Sequence, residues 1–192
     1  MCGIVGALSL NRPSIDVSYI KPMADKIAHR GPDDAGYLCF HTGARHNKKV
    51  SFYQNLTDER FKNIDDMLAP IESNSAQREL HSHDYDLYMG HRRLSILDLS
   101  SNGPQPMHSP SNRYVLVLNG EIYNHLEIRA QLYKHTWIGK SDTETLLIAI
   151  EKWGIHKAVR LCIGMFSFAI WDNKKEELIL GRDRMGEKPI YY

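Results

Sequence analysis

A predicted β-hairpin near the end of the chain constrains the fold more than any other feature. Two apolar segments, 164–172 and 177–183, are joined by the polar turn 173–176, which is the pattern of adjacent antiparallel strands. The other predicted strands and helices also come in blocks and do not alternate singly. Such blocks indicate an α+β protein with mostly antiparallel sheets and argue against a doubly wound βαβ fold.

The remaining elements follow from apolar runs, helical spacing and turn residues. Strands are predicted at residues 2–10, 36–40, 49–53, 86–99 and 113–118. Helices are predicted at residues 20–27, 58–68, 124–134 and 141–153. Two of these helices carry start signals: Asn124 with Glu127, and the capping box Ser141-x-x-Glu144, whose helix should stop at Gly154. The chain is predicted to be one domain, 1–192, in which the polar, weakly patterned segment 41–86 is an insertion or flap.

Composition places the chain among ordinary globular proteins and excludes several functional classes. Hydrophobic residues make up 42% and charged residues 24%, and Lys+Arg 24 against Asp+Glu 23 leaves a net charge of +1, so no nucleic-acid-binding surface is predicted. No apolar run approaches the roughly 18 residues of a membrane span, and the N-terminus lacks the basic start of a signal peptide. We therefore expect a cytoplasmic protein that binds neither nucleic acid nor membrane.

The cysteines and histidines show no metal or redox motif. The three cysteines, Cys2, Cys39 and Cys162, lie far apart with no C-x-x-C pair, which favours a reducing compartment. The ten histidines are scattered, and no metal site is predicted. Cys39 and Cys162 lie in apolar surroundings and are expected in the core.

Cys2 stands out because removal of Met1 would make it the first residue of the chain. Its thiol and α-amino group would then serve as nucleophile and base, since an α-amino group of pKa about 7.7–8.0 can accept the proton of a thiol of pKa about 8.5. The apolar, strand-like segment that follows is expected to hold the terminus in a sheet. Without further motifs, a small buried side chain is a better explanation of Cys2 than a nucleophile, because free cysteines are often simply buried. If Met1 is retained, the amino group is acylated and this base is lost.

Further motifs accompany the N-terminal Cys-Gly-Ile, in the order HRGPDD (29–34), GHRRLSI (90–96), NGEIYN (119–124) and KSDTE (140–144). Together they resemble the glutaminase domain of class II glutamine amidotransferases, which are N-terminal-nucleophile hydrolases that release ammonia from glutamine. The sequences RLSI and NGEIYN and the closing segment 181–192 are most similar to those of the asparagine synthetase branch. The HTRWAT run of the branch that amidates sugar phosphates is absent. The resemblance covers the chain apart from 41–86 and implies a four-layer αββα sandwich.

The resemblance assigns roles to individual residues of these motifs. The catalytic residues it implies are Cys2, as the nucleophile, and Asn119 and Gly120, whose side-chain amide and backbone N–H form the oxyanion hole. The glutamine-binding residues it implies are Arg93, for the α-carboxylate, and Glu121 and Asp142, for the α-ammonium. The supporting residues are Arg30, Leu94 and Ile96. These residue types suit their tasks, because a planar guanidinium matches a carboxylate and carboxylates match an ammonium.

Several of these residues also have simpler explanations. Asn119-Gly120 is a common turn dipeptide at the end of a strand. Asp142 follows a helix cap, where a carboxylate interacts favourably with the helix dipole. Arg92, on the opposite strand face from Arg93, is expected to be a solvated arginine.

The resemblance implies that glutamine is hydrolysed to glutamate and ammonia through a γ-glutamyl thioester on Cys2. The ammonia then passes to a C-terminal synthetase domain, which uses ATP and Mg to activate a carboxylate, usually that of aspartate. The Ser-Gly-Gly-x-Asp-Ser loop of that domain does not occur in the 192 residues, so we expect it in a longer chain and expect no cofactor in this domain. Two alternatives stay open: a different acceptor, such as a sugar acid in surface-polysaccharide synthesis, and a non-catalytic regulatory domain that keeps the fold.

Overall fold

The computed structural model describes residues 2–10, 14–42, 49–55, 73–81, 84–94 and 103–192. The chain divides into two compact units. The first unit comprises residues 1–94 and 104–106, and the second comprises residues 95–103 and 107–192. Each unit contains a four-stranded sheet in which all neighbouring strands are antiparallel.

The first unit is built on strands β1 (Gly3–Leu8), β2 (Asp34–Phe40), β3 (Lys49–Asn55) and β4 (Leu87–Arg93), in the spatial order β1-β4-β2-β3. Its helices are α1 (Ile20–Lys26), with short 3₁₀ turns at Val17–Tyr19 and Ala28–Arg30 on either side, and α2 (Asn74–His81). Helix α1 packs against β1 and β4. Pro22 lies in the first turn of α1, where a residue without an N–H leaves no helical hydrogen bond unmade.

The core of the first unit lies between α1 and the sheet. Ile20 and Ala24 of α1 are buried in one cluster with Tyr37 and Cys39 of β2. The two residues of β2 are separated by one position, as expected for side chains on one face of a strand. Burial of each large apolar side chain of this kind contributes about 1.5–3 kcal/mol to folding.

The second unit is built on β5 (Met107–His108), β6 (Tyr114–Ile122), β7 (Gly164–Asp172) and β8 (Glu177–Arg182), in this spatial order. Its helices are α3 (His125–Gln131), α4 (Asp142–Trp153) and α5 (Ile155–Leu161). Helix α4 packs against β6, and its residues Leu146 and Ile150 share a core with Leu116 and Phe168 of the sheet. Within the described ranges, no helix combines the length and the apolar character needed to cross a bilayer.

The structure confirms the predicted class, because both units combine antiparallel sheets with packed helices, as α+β proteins do. The predicted hairpin is confirmed as β7 and β8. The predicted ends of α4 are also confirmed. Ser141 caps its first turn by accepting the Glu144 N–H at 3.2 Å, and Gly154 ends it with a φ of 82°.

Asn124 departs from the prediction. It precedes α3, but its side chain does not cap that helix. Its amide nitrogen donates to the Leu161 carbonyl oxygen at 2.9 Å, and its amide oxygen accepts the Ile163 N–H at 2.8 Å. The side chain therefore joins the start of α3 to the segment between α5 and β7. Helices α2 and α5 and strand β5 were not expected from the sequence, and the helix predicted at 58–68 lies outside the described residues.

Part of the segment 41–86 belongs to the first sheet. Strand β3 pairs with β2 over all seven of its residues, and Leu80 of α2 is buried in the core. Asp86 closes the segment by accepting hydrogen bonds from the backbone N–H and the hydroxyl of Thr42, at 2.7 and 2.6 Å. The insertion or flap stays a prediction for the remaining residues, which lie outside the described ranges.

Asp183 ties the end of the second unit to β7. Its carboxylate accepts hydrogen bonds from the backbone amides of Phe166 at 3.2 Å, Glu187 at 2.9 Å and Lys188 at 3.0 Å. Burial raises the pKa of this carboxyl, but the hydrogen bonds from the amides together lower it by more. The pKa of Asp183 therefore lies below its ordinary value. The fold thus favours the ionised form.

We expect Asp183→Asn to lower the free energy of unfolding at pH 7 by about 1–3 kcal/mol, because a neutral amide is a weaker acceptor for these N–H groups. In the wild type, this contribution is present above the unfolded-state pKa of about 3.9 and is lost as the pH falls through the lower folded-state pKa. Urea unfolding of both proteins at pH 7 and pH 3 measures the effect. A stability difference that is equal at the two pH values would contradict this account.

Candidate active site

The first cluster of predicted site residues forms where β1 begins and β4 ends. The β1–β4 register pairs Gly3 with Arg92 and so brings Cys2 near Leu94. The backbone N–H of Leu94 donates to the Cys2 sulfur, with an N···S distance of 3.4 Å, and the sulfur lies 3.7 Å from the Leu94 carbonyl oxygen. Cys2 is half-buried. Cys2 is therefore held at the edge where β1 meets β4, with its sulfur against the Leu94 backbone.

Arg30 holds the main chain of the same cysteine. Its Nε donates to the Cys2 carbonyl oxygen at 3.1 Å. Arg30 ends the 3₁₀ turn after α1, and at the next residue, Gly31, the Arg92 backbone occupies the position of a Cβ. The absence of a side chain at Gly31 lets this turn pack directly on β4. The geometry fits the supporting role predicted for Arg30.

Arg93 is paired with an acid on the neighbouring strand. The β2–β4 register places it opposite Asp34, and its Nη1 lies 3.2 Å from the Asp34 Oδ2. The two side chains are 8% and 4% exposed. Such burial excludes a solvated arginine, and the fixed partner gives the guanidinium a defined orientation. Asp34 was missed as a partner because strand register cannot be read from the HRGPDD motif alone.

Arg92 corrects the prediction made for it. This residue is only 5% exposed, and its Nη1 lies 3.6 Å from the Asp25 Oδ1 on α1. The expectation of a solvated side chain is wrong, because α1 covers the sheet at β4 and supplies the acid.

The second cluster lies on β6, which does not end at the Asn-Gly dipeptide. The strand continues through Asn119, Gly120 and Glu121 to Ile122, paired with β7 throughout. Gly120 has a φ of 147°, and the backbone of Met165 occupies the position of its Cβ. The glycine therefore permits a close approach of two strands. Both the strand end at 118 and the alternative of a simple turn are wrong for this position.

Asn119 is a buried polar residue that directly follows the apolar run 115–118 of β6. It is 5% exposed, and its Oδ1 has no hydrogen-bond partner among the described residues. Ser167 faces it on β7, and the buried Ser167 hydroxyl is also without a partner there. Native proteins pair most buried polar groups, so this pair marks a position that retains hydrogen-bonding capacity. Ser167 was not singled out from the sequence, where it is a lone polar residue within the apolar run of β7.

Asp142 connects the start of α4 to the end of β6. Its side chain is buried, and its Oδ2 accepts the Ile122 N–H at 2.8 Å. A favourable interaction with the helix dipole is therefore not its sole contribution. Burial raises the pKa of Asp142, and the amide of Ile122 and the charge of His125 offset this only in part. None of the ion pairs between described residues involves Asp142. A buried carboxylate in this state gains from a cationic ligand.

His125 is a further titratable group near these acids. Burial lowers the pKa of His125, while the charges of Asp142 and Glu121 oppose that shift. Its Nδ1 is buried and has no hydrogen-bond partner in the described segments. Its place directly after the NGEIYN motif was the one signal in the sequence that could have indicated it.

The remaining predicted residues divide between the core and the undescribed part of the chain. Ile96 lies outside the described residues, so its supporting role stays a prediction. Cys39 and Cys162 are buried, as predicted, and burial raises the pKa of both thiols, that of Cys162 to about 11. Among the residues that the structure describes, no group of three His, Cys, Asp or Glu side chains is placed to hold a metal ion.

Comparison with known proteins identifies the class to which this fold and these clusters belong. The solved structure of glutamine phosphoribosylpyrophosphate amidotransferase from Bacillus subtilis superposes with a TM-score of 0.66 at 20% identity, over 94% of this chain and 37% of that chain. The fold is therefore that of the N-terminal-nucleophile hydrolases, as predicted. The family described as the glutamine amidotransferase domain matches residues 47–192. The chain belongs to this family, and it is an enzyme domain of the glutamine amidotransferase type.

The curated relatives lie in the branch that the motifs indicated. The chain is 35% identical over 195 residues to asparagine synthetase [glutamine-hydrolyzing] 2 of Bacillus subtilis. This match covers all of this chain and 20% of the relative. It is 32% identical over 206 residues to a putative asparagine synthetase [glutamine-hydrolyzing] 2 of Methanocaldococcus jannaschii, over all of this chain and 32% of the relative. The chain thus spans between a fifth and a third of the length of these relatives.

We expect Gly120→Ala to destabilise the protein more than Gly154→Ala. Both glycines have positive φ, at 147° and 82°, but only at Gly120 does a backbone fill the space of a Cβ, whereas nothing lies within 4 Å at Gly154. The backbone conformation alone costs about 1–2 kcal/mol, and the clash at Gly120 should add about 1–3 kcal/mol. Guanidinium unfolding of the two variants measures the difference. Equal losses of stability would mean that β6 and β7 do not approach closely at this point.

Proposed function

We propose that this domain hydrolyses glutamine to glutamate and ammonia with Cys2 as the nucleophile. The observation that carries the proposal is the placement of Cys2, whose sulfur receives the Leu94 N–H and whose carbonyl oxygen receives the Arg30 guanidinium. Family membership supports the same chemistry, since the relatives are named as glutamine-hydrolysing enzymes.

The reaction begins after Met1 has been removed. The free α-amino group of Cys2 accepts the thiol proton, and the thiolate attacks the carboxamide carbon of glutamine. The C–N bond of the tetrahedral intermediate breaks, the amino group returns the proton to the leaving nitrogen, and ammonia departs. A γ-glutamyl thioester remains on Cys2. A water molecule, deprotonated by the same amino group, attacks the thioester, which releases glutamate and restores the thiol.

Stabilisation of the intermediate is assigned to Asn119 and Gly120. The negative charge on the former carboxamide oxygen requires donors that are already in position, and each such donor contributes about 3–4 kcal/mol to lowering the barrier. A side-chain amide and a backbone N–H on a continuous, paired strand satisfy this requirement better than a mobile turn would. The burial of Asn119, 5% exposed on a strand paired with β7, supports the assignment because it holds the side-chain amide in place.

Recognition of the amino acid is assigned to charged residues of opposite sign. Arg93 binds the α-carboxylate, and its ion pair with Asp34 holds the guanidinium in one orientation. Glu121 and Asp142 bind the α-ammonium. The raised pKa of the buried Asp142 carboxyl supports this role, because a cation next to it would lower that pKa and favour the ionised form.

The ammonia is proposed to serve an ATP-dependent synthetase domain that amidates aspartate. Identity to relatives named asparagine synthetase supports this acceptor, and their greater length leaves room for such a domain. An amidotransferase with another carboxylate acceptor would share the glutamine chemistry. Incubation of the full-length protein with ATP, Mg, glutamine and either acceptor class distinguishes the two, by which amide accumulates.

We expect Cys2→Ala to abolish glutamate release from glutamine in the full-length protein, with a loss of at least about a thousandfold. Cys39→Ala and Cys162→Ala are the matched controls, because both thiols are buried and their raised pKa values keep them protonated. These two variants should retain glutaminase activity, and among the three cysteines of this domain iodoacetamide should modify only Cys2 in the native protein. Activity in Cys2→Ala equal to that of the wild type would show that the domain is non-catalytic or uses another nucleophile.

A further inference from the structure

A buried ion pair holds the segment that leads into α4. Glu144, in the first turn of α4, is 6% exposed, and Arg129 of α3 places its Nη2 3.5 Å from the Glu144 Oε2. Both side chains are directed at residues 137–141, the last part of the connection between the two helices, which has no regular structure. We name this pair the 129–144 clamp.

Glu144 binds the backbone of this connection. Its Oε1 accepts the Ile138 N–H at 2.8 Å, and its Oε2 accepts the Gly139 N–H at 2.9 Å. The capping box predicted from Ser141-x-x-Glu144 is thus half realised. The serine caps the helix, but the glutamate carboxylate serves the preceding loop.

Arg129 binds the same connection from the other side. Its Nη1 donates to the Gly139 carbonyl oxygen at 2.9 Å, and its Nη2 donates to the Ser141 carbonyl oxygen at 2.8 Å. Its Nε donates to the Thr145 hydroxyl at 2.7 Å, and the Trp137 ring stacks on the guanidinium at 4.0 Å. A planar fork of five donors can make all of these contacts at once, which a lysine cannot.

The clamp fixes the residue next to Asp142. Ser141 receives Arg129 on its carbonyl oxygen, and the following residue, Asp142, directs its carboxylate to the Ile122 N–H. The contacts of the clamp go to main-chain atoms on one side of Asp142 and to Thr145 on the other. They determine where α4 begins, and through that the location of the Asp142 carboxylate.

We propose that Arg129 and Glu144 are positioning residues that place Asp142 for recognition of the substrate's α-ammonium. This inference rests on the proposed function, which assigns the α-ammonium to Asp142. It makes binding of the amino acid depend on two residues that do not themselves contact the ligand. The clamp acts on substrate affinity and not on the chemistry at Cys2, so its loss should appear in KM and not in kcat.

The test is a double-mutant cycle in the full-length protein, with glutamine hydrolysis as the readout. Arg129→Lys keeps the charge but loses the fork, and we expect it to raise KM for glutamine about tenfold with kcat changed less than about twofold. Asp142→Asn should lower kcat/KM by about a hundredfold. If Arg129 acts through Asp142, the double variant should be no worse than Asp142→Asn alone, because residues that act as one unit are not additive.

Arg113→Lys is the matched control. Arg113 also donates two hydrogen bonds to one carboxylate, that of Asp172, at 3.0 and 2.8 Å. It lies at the opposite end of β6 from Glu121, roughly 26 Å away along the strand. We expect this variant to lose stability in thermal unfolding while KM for glutamine stays unchanged.

The outcomes separate the inference from the function on which it rests. Effects of Arg129→Lys and Asp142→Asn that multiply in the double variant would overturn the positioning role, as would an equal rise of KM in Arg113→Lys. If Asp142→Asn lowers kcat/KM and Arg129→Lys leaves it unchanged, the clamp inference alone fails. If the wild type releases no glutamate from glutamine, the proposed function fails first and the clamp inference fails with it.

Discussion

The close approach of β6 and β7 is the constraint on which the second unit depends. Two glycines permit it, because the β7 backbone occupies the position of a Cβ at Gly120 and the β6 backbone does so at Gly164. With no side chain at these two points, the pairing runs unbroken over nine residues and ends at Ile122. The Ile122 N–H is then the donor that Asp142 accepts, so the start of α4 is tied to the end of this strand pair. The proposed oxyanion donors lie on the same strand, within the part that is paired with β7.

Buried carboxylates in this unit differ in how much of their charge the backbone compensates. Asp183 accepts hydrogen bonds at 2.9–3.2 Å from three backbone amides, one on β7 and two just after Asp183 in the chain, and its pKa is lowered. Glu144 accepts two amides and has Arg129 beside it. The amides of Ile122 and Thr143 both lower the pKa of Asp142, but burial outweighs them and the pKa is raised. The fold compensates the charge of the first two carboxylates. The charge of Asp142 is compensated only in part, and a substrate cation would balance the rest. This difference is the electrostatic basis for assigning it to the α-ammonium.

The sequence predicts the features that depend on local chemistry. The hairpin of β7 and β8, the Ser141 cap and the Gly154 stop were all predicted, since each depends on residues within a few positions of one another. Features set by distant contacts could not be predicted. Arg92 is buried because α1 covers it, and the Asn124 side chain leaves its helix to join a loop some forty positions along the chain, at Leu161 and Ile163. The candidate site shows the same division: its motif residues were predicted, and Asp34, Ser167 and the partners of Glu144 were not.

In the proposed mechanism Cys2 supplies both the nucleophile and the base, and capture of the acyl intermediate is the sharpest test of this assignment. The full-length protein is mixed with glutamine, quenched in acid during turnover and digested, and its N-terminal peptide is analysed by mass spectrometry. We expect a peptide that begins at Cys2, without Met1, and carries a γ-glutamyl group on the Cys2 sulfur that hydroxylamine removes. An active enzyme that retains Met1, or that carries the γ-glutamyl group on another residue, would contradict it.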